Sequence, residues 1–393
     1  MENFSINSIL HFREEEYQLR TSRNGRMNKI VCSLFRNAEF VSSKEIDYSE
    51  ERESKLLALI KKFHEERKSE IEFLFNLSQK LENTGSAELI NMLGLIFVRH
   101  NLHVEAIKEF LKATRLNPGN SITYNNLGKA LLSLKKYEHA IKAFNKAIEL
   151  NPNYADLYNN LGTAYLETEA CKNAVQQFDK AINLNPYFAE AYLNRGLAYI
   201  LNKIKKEDFA LSRNYREEVQ KSFEKAIQIN PSYQNKHYHA GLEYLEGENL
   251  QKAFEELKIV QNTGTRTSYL YDKYDYYIKL LFCDEDNRYE MIGSYIKFLQ
   301  SLLKKYPGHA DIHNDLGLAY CILRNYINER AIKSFENALD INPNFEEAQR
   351  NLKLSKYEKI GSEIFLKAIT VNGQEDENKQ RQKEQEVNTV WVQ

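Results

Sequence analysis

Residues 121–154 read SITYNNLGKALLSLKKYEHAIKAFNKAIELNPNY, and residues 155–188 read ADLYNNLGTAYLETEACKNAVQQFDKAINLNPYF. The two blocks align without a gap. Both carry Tyr-Asn-Asn-Leu-Gly near the start, ending at Gly128 and Gly162. Then come Ala140, Phe144, Ala147 and Pro152 in one block, and Ala174, Phe178, Ala181 and Pro186 in the other. Working outward, Gly94 and Gly196 extend the glycine series at the same interval of 34, and Ala106, Phe110, Ala113 and Pro118 extend the rest. Five of the 6 prolines follow an asparagine: Asn117, Asn151, Asn185, Asn230 and Asn342. Gly241 and Gly317 sit in the related stretches GLEYL and GLAYC.

A period with matched small and large residues describes one packing unit used repeatedly. The small side chains fall where two helices touch, and the aromatic fills the space beside them. Glycine inside a helix costs about 1 kcal/mol against alanine, so its return at one phase marks a packing demand. Asn-Pro ends the second helix, because the residue before proline is driven out of the α region.

Composition narrows the function classes. The chain has 393 residues, 54 Lys+Arg against 55 Asp+Glu, and 28% charged residues. This balance argues against a general nucleic-acid binder. No run nears the ~20 apolar residues of a membrane span. The opening MENFSINSILHF has Glu2 where a leader is basic. Cys32, Cys171, Cys283 and Cys321 are scattered, as in reduced thiols of a cytoplasmic protein. With 15 glycines and 6 prolines, a mainly helical chain is expected.

The glycine, alanine, phenylalanine and proline series resembles the tetratricopeptide repeat over residues 87–265 and 310–370, with Tyr124, Tyr158 and Tyr192 where that family often has tryptophan. The resemblance implies an all-α, right-handed α-solenoid of helix–turn–helix repeats. The organisation expected is a poorly defined N-terminal segment at 1–50 and capping helices at 51–86, with His64, Arg67 and Ser78 interrupting the apolar seam. Five repeats follow at 87–265. Gly196 to Pro231 spans 35 positions against 24 from Gly94 to Pro118, which places an 11-residue insertion within 200–219. A degenerate helical repeat is expected at 266–308, a further repeat at 309–344, a capping helix at 345–370 and a disordered polar tail at 371–393.

No GxxxxGK[ST], HExxH, GxGxxG or GxSxG occurs, and Asp284-Glu285-Asp286-Asn287 does not continue as a calcium loop. His103 shares its phase with Tyr137, Cys171 and Leu250, which reads as packing. No enzyme, metal or cofactor is expected. In the family the first helix of each repeat lines a groove. The resemblance therefore points to Asn91, Asn125, Asn126, Lys129, Asn159, Asn160 and Asn194, continued by Leu193, Leu197, Tyr238 and His239. The asparagines resemble the amide ladder in the repeats of O-linked N-acetylglucosamine transferases, suited to the backbone of an extended peptide. Lys129 without a paired Lys and Arg on neighbouring repeats argues against a carboxylate clamp. The tyrosines at 269, 271, 274, 276 and 277 read mainly as packing. The expected function is a scaffold or adaptor for a protein or peptide. The alternative is an accessory subunit docking through its N-terminal segment, insert or tail.

Overall fold

The computed structural model describes residues 5–25, 27–48, 53–82, 85–261, 275–276, 278–280, 282, 285–305, 310–341 and 348–356. The degenerate repeat at 266–308 lies partly outside these, the cap at 345–370 largely so, and the tail at 371–393 wholly so. Contacts divide the chain into two units, Met1–Tyr274 and Asp275–Gln393.

The N-terminal segment is an antiparallel meander of β1 (Ser5–Phe12), β2 (Glu15–Asn24), β3 (Lys29–Arg36) and β4 (Glu39–Asp47). Alternation explains it. Tyr17, Leu19 and Thr21 on β2 and Ile30, Cys32 and Leu34 on β3 are buried, while Glu16, Gln18 and Arg20 face outward. Asn37 and Ala38 both have positive φ (49° and 67°), the backbone of a tight two-residue hairpin turn. The sheet adds a small β element to a helical protein.

Helix α1 (Glu53–Leu81) covers the inner face of the sheet, where Phe75 stacks on Phe12 with ring centres 4.2 Å apart. The three polar residues that interrupt its seam are all buried and partnered. His64 lies between Ser8 (2.8 Å) and Thr21 (2.9 Å), Arg67 holds Glu70 (2.6 Å), and Ser78 donates to Glu109 (2.9 Å).

Five helical hairpins follow: α2 (Ala87–Arg99) with α3 (His103–Leu116), α4 (Ser121–Ser133) with α5 (Tyr137–Leu150), and α6 (Ala155–Glu167) with α7 (Cys171–Leu184). Then α8 (Ala189–Lys205) pairs with α10 (Tyr215–Ile229), with the short α9 (Phe209–Arg213) between them, and α11 (Lys236–Glu246) pairs with α12 (Leu250–Gln261). Each hairpin closes on its glycine: Phe110, Phe144 and Phe178 are wholly buried against Gly94, Gly128 and Gly162. The turn within the first three hairpins carries one left-handed residue, Asn101, Lys135 and Glu169, at the same 34-residue interval. Asn117, Asn151, Asn185 and Asn230 leave helical geometry before their prolines, as expected.

The insertion lengthens α8 and folds back. Buried Asn202 exchanges hydrogen bonds with the Asp208 backbone in both directions (2.9 Å each), and Glu207 accepts from Cys171 N at the uncapped start of α7. The fifth hairpin departs from the stack. Helix α12, rather than α11, packs on α8, and Lys258 reaches Glu167 on α6 at 2.6 Å. Leu193, Leu197, Ile200 and Leu201 on α8 are buried in consequence.

The second unit corrects one expectation. Residues 309–344 were expected to form a helix–turn–helix repeat, but Ala310–Ile341 is one unbroken helix. The stretch CILRNYINER has no glycine or proline and no left-handed residue where the turn would stand. Antiparallel to it lies helix Glu285–Lys305. Of the tyrosine group only Tyr276 is described; its ring packs 4.7 Å from that of Tyr295.

Candidate functional site: the face of the first helices

Helices α2, α4 and α6 lie side by side, and their asparagines join them. Asn126 Nδ2 donates to Asn91 Oδ1 at 3.1 Å, and Asn160 Nδ2 donates to Asn125 Oδ1 at 2.8 Å. Asn194 Nδ2 donates to Asn159 Oδ1 at 3.0 Å. Each rung joins the residue two before one glycine to the residue three before the preceding one. The asparagines therefore first bind each other, at a net ~0.5–1.5 kcal/mol per rung.

What remains differs along the ladder. Asn91, Asn125, Asn126 and Asn160 are half-buried, so the oxygen of Asn126 and the amide of Asn91 stay within reach of a ligand, as do the corresponding groups of the Asn160–Asn125 rung. Lys129 stands exposed beside them. The third rung is closed: Asn194 is fully buried, Asn159 is 2% exposed, and Asn159 Nδ2 donates to Glu190 at 3.1 Å.

The apolar continuation is also closed. Leu193, Leu197 and Tyr238 belong to one core with Leu257 and Val260 of α12. They do not line an open groove, because the fifth hairpin covers α8. His239 is exposed, its ring edge-on to Tyr238 at 5.6 Å. The accessible face thus spans α2, α4 and α6.

A second constellation was not foreseen. Arg13 Nη2, in the β1–β2 turn, donates to Glu109 (2.8 Å), Ser78 (3.0 Å) and Glu82 (3.0 Å). Tyr17 Oη donates to Glu105 at 2.5 Å. Burial, joined by the Glu105 carboxylate, drives the Tyr17 phenol strongly upward. Glu105 and Glu109 are each 1% exposed. The signal was present: repeats two and three have His139 and Ala143, then Asn173 and Gln177, at these phases. The fourth and fifth repeats carry one carboxylate each at these phases, Glu218 and Glu256; only the first carries both, and it is the one that meets the sheet.

Among the described residues no group of three or more His, Cys, Asp or Glu is placed to hold a metal ion. Burial, with Glu207 nearby, pushes the Cys171 thiol up to about 12, which makes it inert as a nucleophile. Burial lowers His103 at the start of α3. No helix among the described residues is long and apolar enough to cross a membrane.

A family model described as TPR repeat matches residues 128–169, and two described as tetratricopeptide repeat match 109–142 and 155–188. Comparison with curated proteins gives no match. Among solved structures, MamA aligns at 26% identity over 42% of this chain and 93% of its own, with a TM-score of 0.35. YrrB, described as a TPR protein with an unusual peptide-binding site, aligns at 21% identity over 49% of this chain and 96% of its own, with a TM-score of 0.34. The Arabidopsis OM64 TPR domain aligns at 25% identity over 36% of this chain and 94% of its own, with a TM-score of 0.26. Residues 109–188 thus match tetratricopeptide-repeat models, and the hairpins on either side of that stretch close on the same glycine contact.

Proposed function

We propose that the chain is a non-enzymatic protein-interaction scaffold that holds an extended peptide segment of a partner on the face of α2, α4 and α6. The observation that carries this reading is the pair of half-buried rungs, Asn126–Asn91 and Asn160–Asn125. Each leaves an amide donor and an amide acceptor facing outward at the repeat spacing. A peptide backbone presents the complementary groups. Fixing both amides in a rung removes rotamer freedom before the ligand arrives, which lowers the ordering cost of binding.

The rungs alone do not give a tight complex. Four amide contacts at ~0.5–1.5 kcal/mol each reach at most ~6 kcal/mol, against ~8 for a micromolar complex. Lys129 and the exposed Ile122 at the start of α4 are the additional anchors. The test is a comparative pull-down with mass spectrometry, setting wild type against Asn126→Ala/Asn160→Ala and against Lys146→Ala on the second-helix side. A partner lost only from the asparagine variant supports the reading; a partner retained by both variants removes it.

A second reading takes the chain as an accessory subunit that docks through its N-terminal segment, insert or tail. Phe209 favours it, at 87% exposed on an insert that is otherwise tied down. Under this reading Phe209→Ser, not the asparagine variant, releases the partner.

A further inference from the structure

The sheet ends on β1 at one side and β4 at the other, and the two end strands are built differently. β4 carries Glu39, Lys44, Glu45 and Asp47, and its register against β3 skips Val41, a bulge that bends the strand. Charges and bulges keep an edge from pairing with another chain. β1 has neither device. It reads SINSILHF over Ser5–Phe12, with no Lys, Arg, Asp, Glu or Pro, and matches β2 residue for residue.

The backbone of β1 is half used. Asn37 N donates to Glu16 O at 2.9 Å, so Glu16, Gln18 and Arg20 turn their N–H and C=O groups toward β3. Tyr17, Leu19 and Thr21 therefore turn theirs toward β1, where they face Leu10, Ser8 and Ile6. Ser5, Asn7, Ile9 and His11 are left with N–H and C=O aimed away from the sheet. Among the described residues no backbone bond beyond the β1–β2 ladder reaches them. Asn7, Ile9 and His11 are exposed, Ile9 at 57%.

We propose that β1 pairs antiparallel with β1 of a second copy, about a two-fold axis at Ser8. Ser5 then faces His11 and Asn7 faces Ile9, so all four residues bond at once, each facing pair exchanging two hydrogen bonds. A shift of two residues either way leaves one of the four facing no residue of β1. On the α1 side this register sets Ile6 beside Leu10 and Ser8 beside its own copy. On the outer side the two exposed Ile9 side chains come within diagonal reach of each other.

The occupant follows from the edge itself. Outward N–H and C=O groups at alternate residues are matched by another extended strand. β1 is the one strand of the four without a charged residue, so two copies meet with no like charges face to face. Two-fold pairing also uses up this edge on both copies, so association closes at two. The proposal concerns the sheet and stands whether or not a peptide binds on α2, α4 and α6.

Sedimentation equilibrium of the full chain is expected to show concentration-dependent dimerisation of the 46.1 kDa protomer. Asn7→Pro deletes an N–H that points away from β2, so the ladder inside the sheet is kept. Dimer affinity is expected to fall at least about tenfold, with an unchanged circular dichroism spectrum. Ile9→Lys, on an exposed side chain, sets two like charges diagonally across the axis and is expected to act in the same direction. Ser43→Pro deletes an N–H that points outward from β4 by the same alternation, and is expected to leave the dimer intact. In a Cys283→Ser/Cys321→Ser background, mixing Asn7→Cys with Ile9→Cys protein gives a disulfide between chains on mild oxidation, because facing residues of a bonded pair stand about 5.5 Å apart at Cα. A wild type monomeric at every concentration, a dimer that survives both Asn7→Pro and Ile9→Lys, a dimer lost with Ser43→Pro instead, or a mixture that forms no disulfide between chains would each overturn the proposal.

Discussion

Asn160 Nδ2 donates to Asn125 Oδ1 at 2.8 Å, and the two residues stand on successive first helices, 35 positions apart. The bond ties one repeat to the next on the face left open by the second helices. A double-mutant cycle on Asn125→Ala and Asn160→Ala is expected to give a coupling of about 1 kcal/mol in urea unfolding. Additive single effects would mean that the rung does not form in solution. Asn194→Ala has a larger expected cost, about 1–3 kcal/mol, because it strands the buried Asn159 carbonyl.

Gly128→Ala puts a methyl 2.5 Å from Phe144 Cε1. The ring is wholly buried, so it has no free space to retreat into. Alanine gains about 1 kcal/mol of helix propensity but overpacks at a cost of roughly 1–3 kcal/mol. A net loss of stability is expected, read as a lower thermal midpoint. Gly317→Ala, where no atom of the described residues lies within 4 Å of the new methyl, is expected to raise it.

Arg13→Ala removes the side chain that joins the sheet to Glu109 on α3 and Glu82 after α1. Glu109 keeps Ser78 and Lys112, which moderates the cost to about 2–3 kcal/mol. Faster amide exchange in β1 and β2, with α4 to α7 unchanged, is the expected signature. An equal increase along the whole solenoid would mean that sheet and repeats unfold together.

The repeats were legible because a hairpin's demands recur every 34 residues: a glycine, the ring that covers it, and a proline that stops the helix. The sheet was less legible, since four short strands alternate only over a few positions each, although Tyr17, Leu19 and Thr21 did alternate. The polar breaks in α1 resembled flaws in a seam. Arg67 holds Glu70 within the helix, but the partners of His64 and Ser78 lie 31 to 56 residues away in sequence, beyond any local pattern. The repeat phase puts the asparagines on the first helices, but nothing in one repeat told that they would pair with each other, or that α12 would cover Leu197 and Asn194. The helix at 310–341 kept the repeat signature while losing the turn, and signature residues alone do not report that.

Acid should loosen the N-terminal unit. Burial pushes His64 below its ordinary value of 6.5, between Ser8 and Thr21. The unfolded chain takes up that proton below about pH 6.5 while the folded chain resists it, so stability is complete above this pH and declines below it. Burial raises Glu70, but the charges of His100 and Arg67 more than offset it and hold the carboxyl at about 2. A second loss therefore runs from about pH 4.5 toward 2. Urea midpoints at pH 7.5, 6.0 and 5.0 are expected to fall in that order; midpoints that rise would contradict the buried neutral histidine.

The most direct test of the peptide-binding face is hydrogen exchange on the full chain with and without a peptide selected on it from a random display library. Protection concentrated on α2, α4 and α6, and absent when the same peptide is added to Asn126→Ala/Asn160→Ala, is the predicted result. Protection confined to the sheet, the insert around Phe209 or the 285–356 unit, with full binding by the variant, would contradict it.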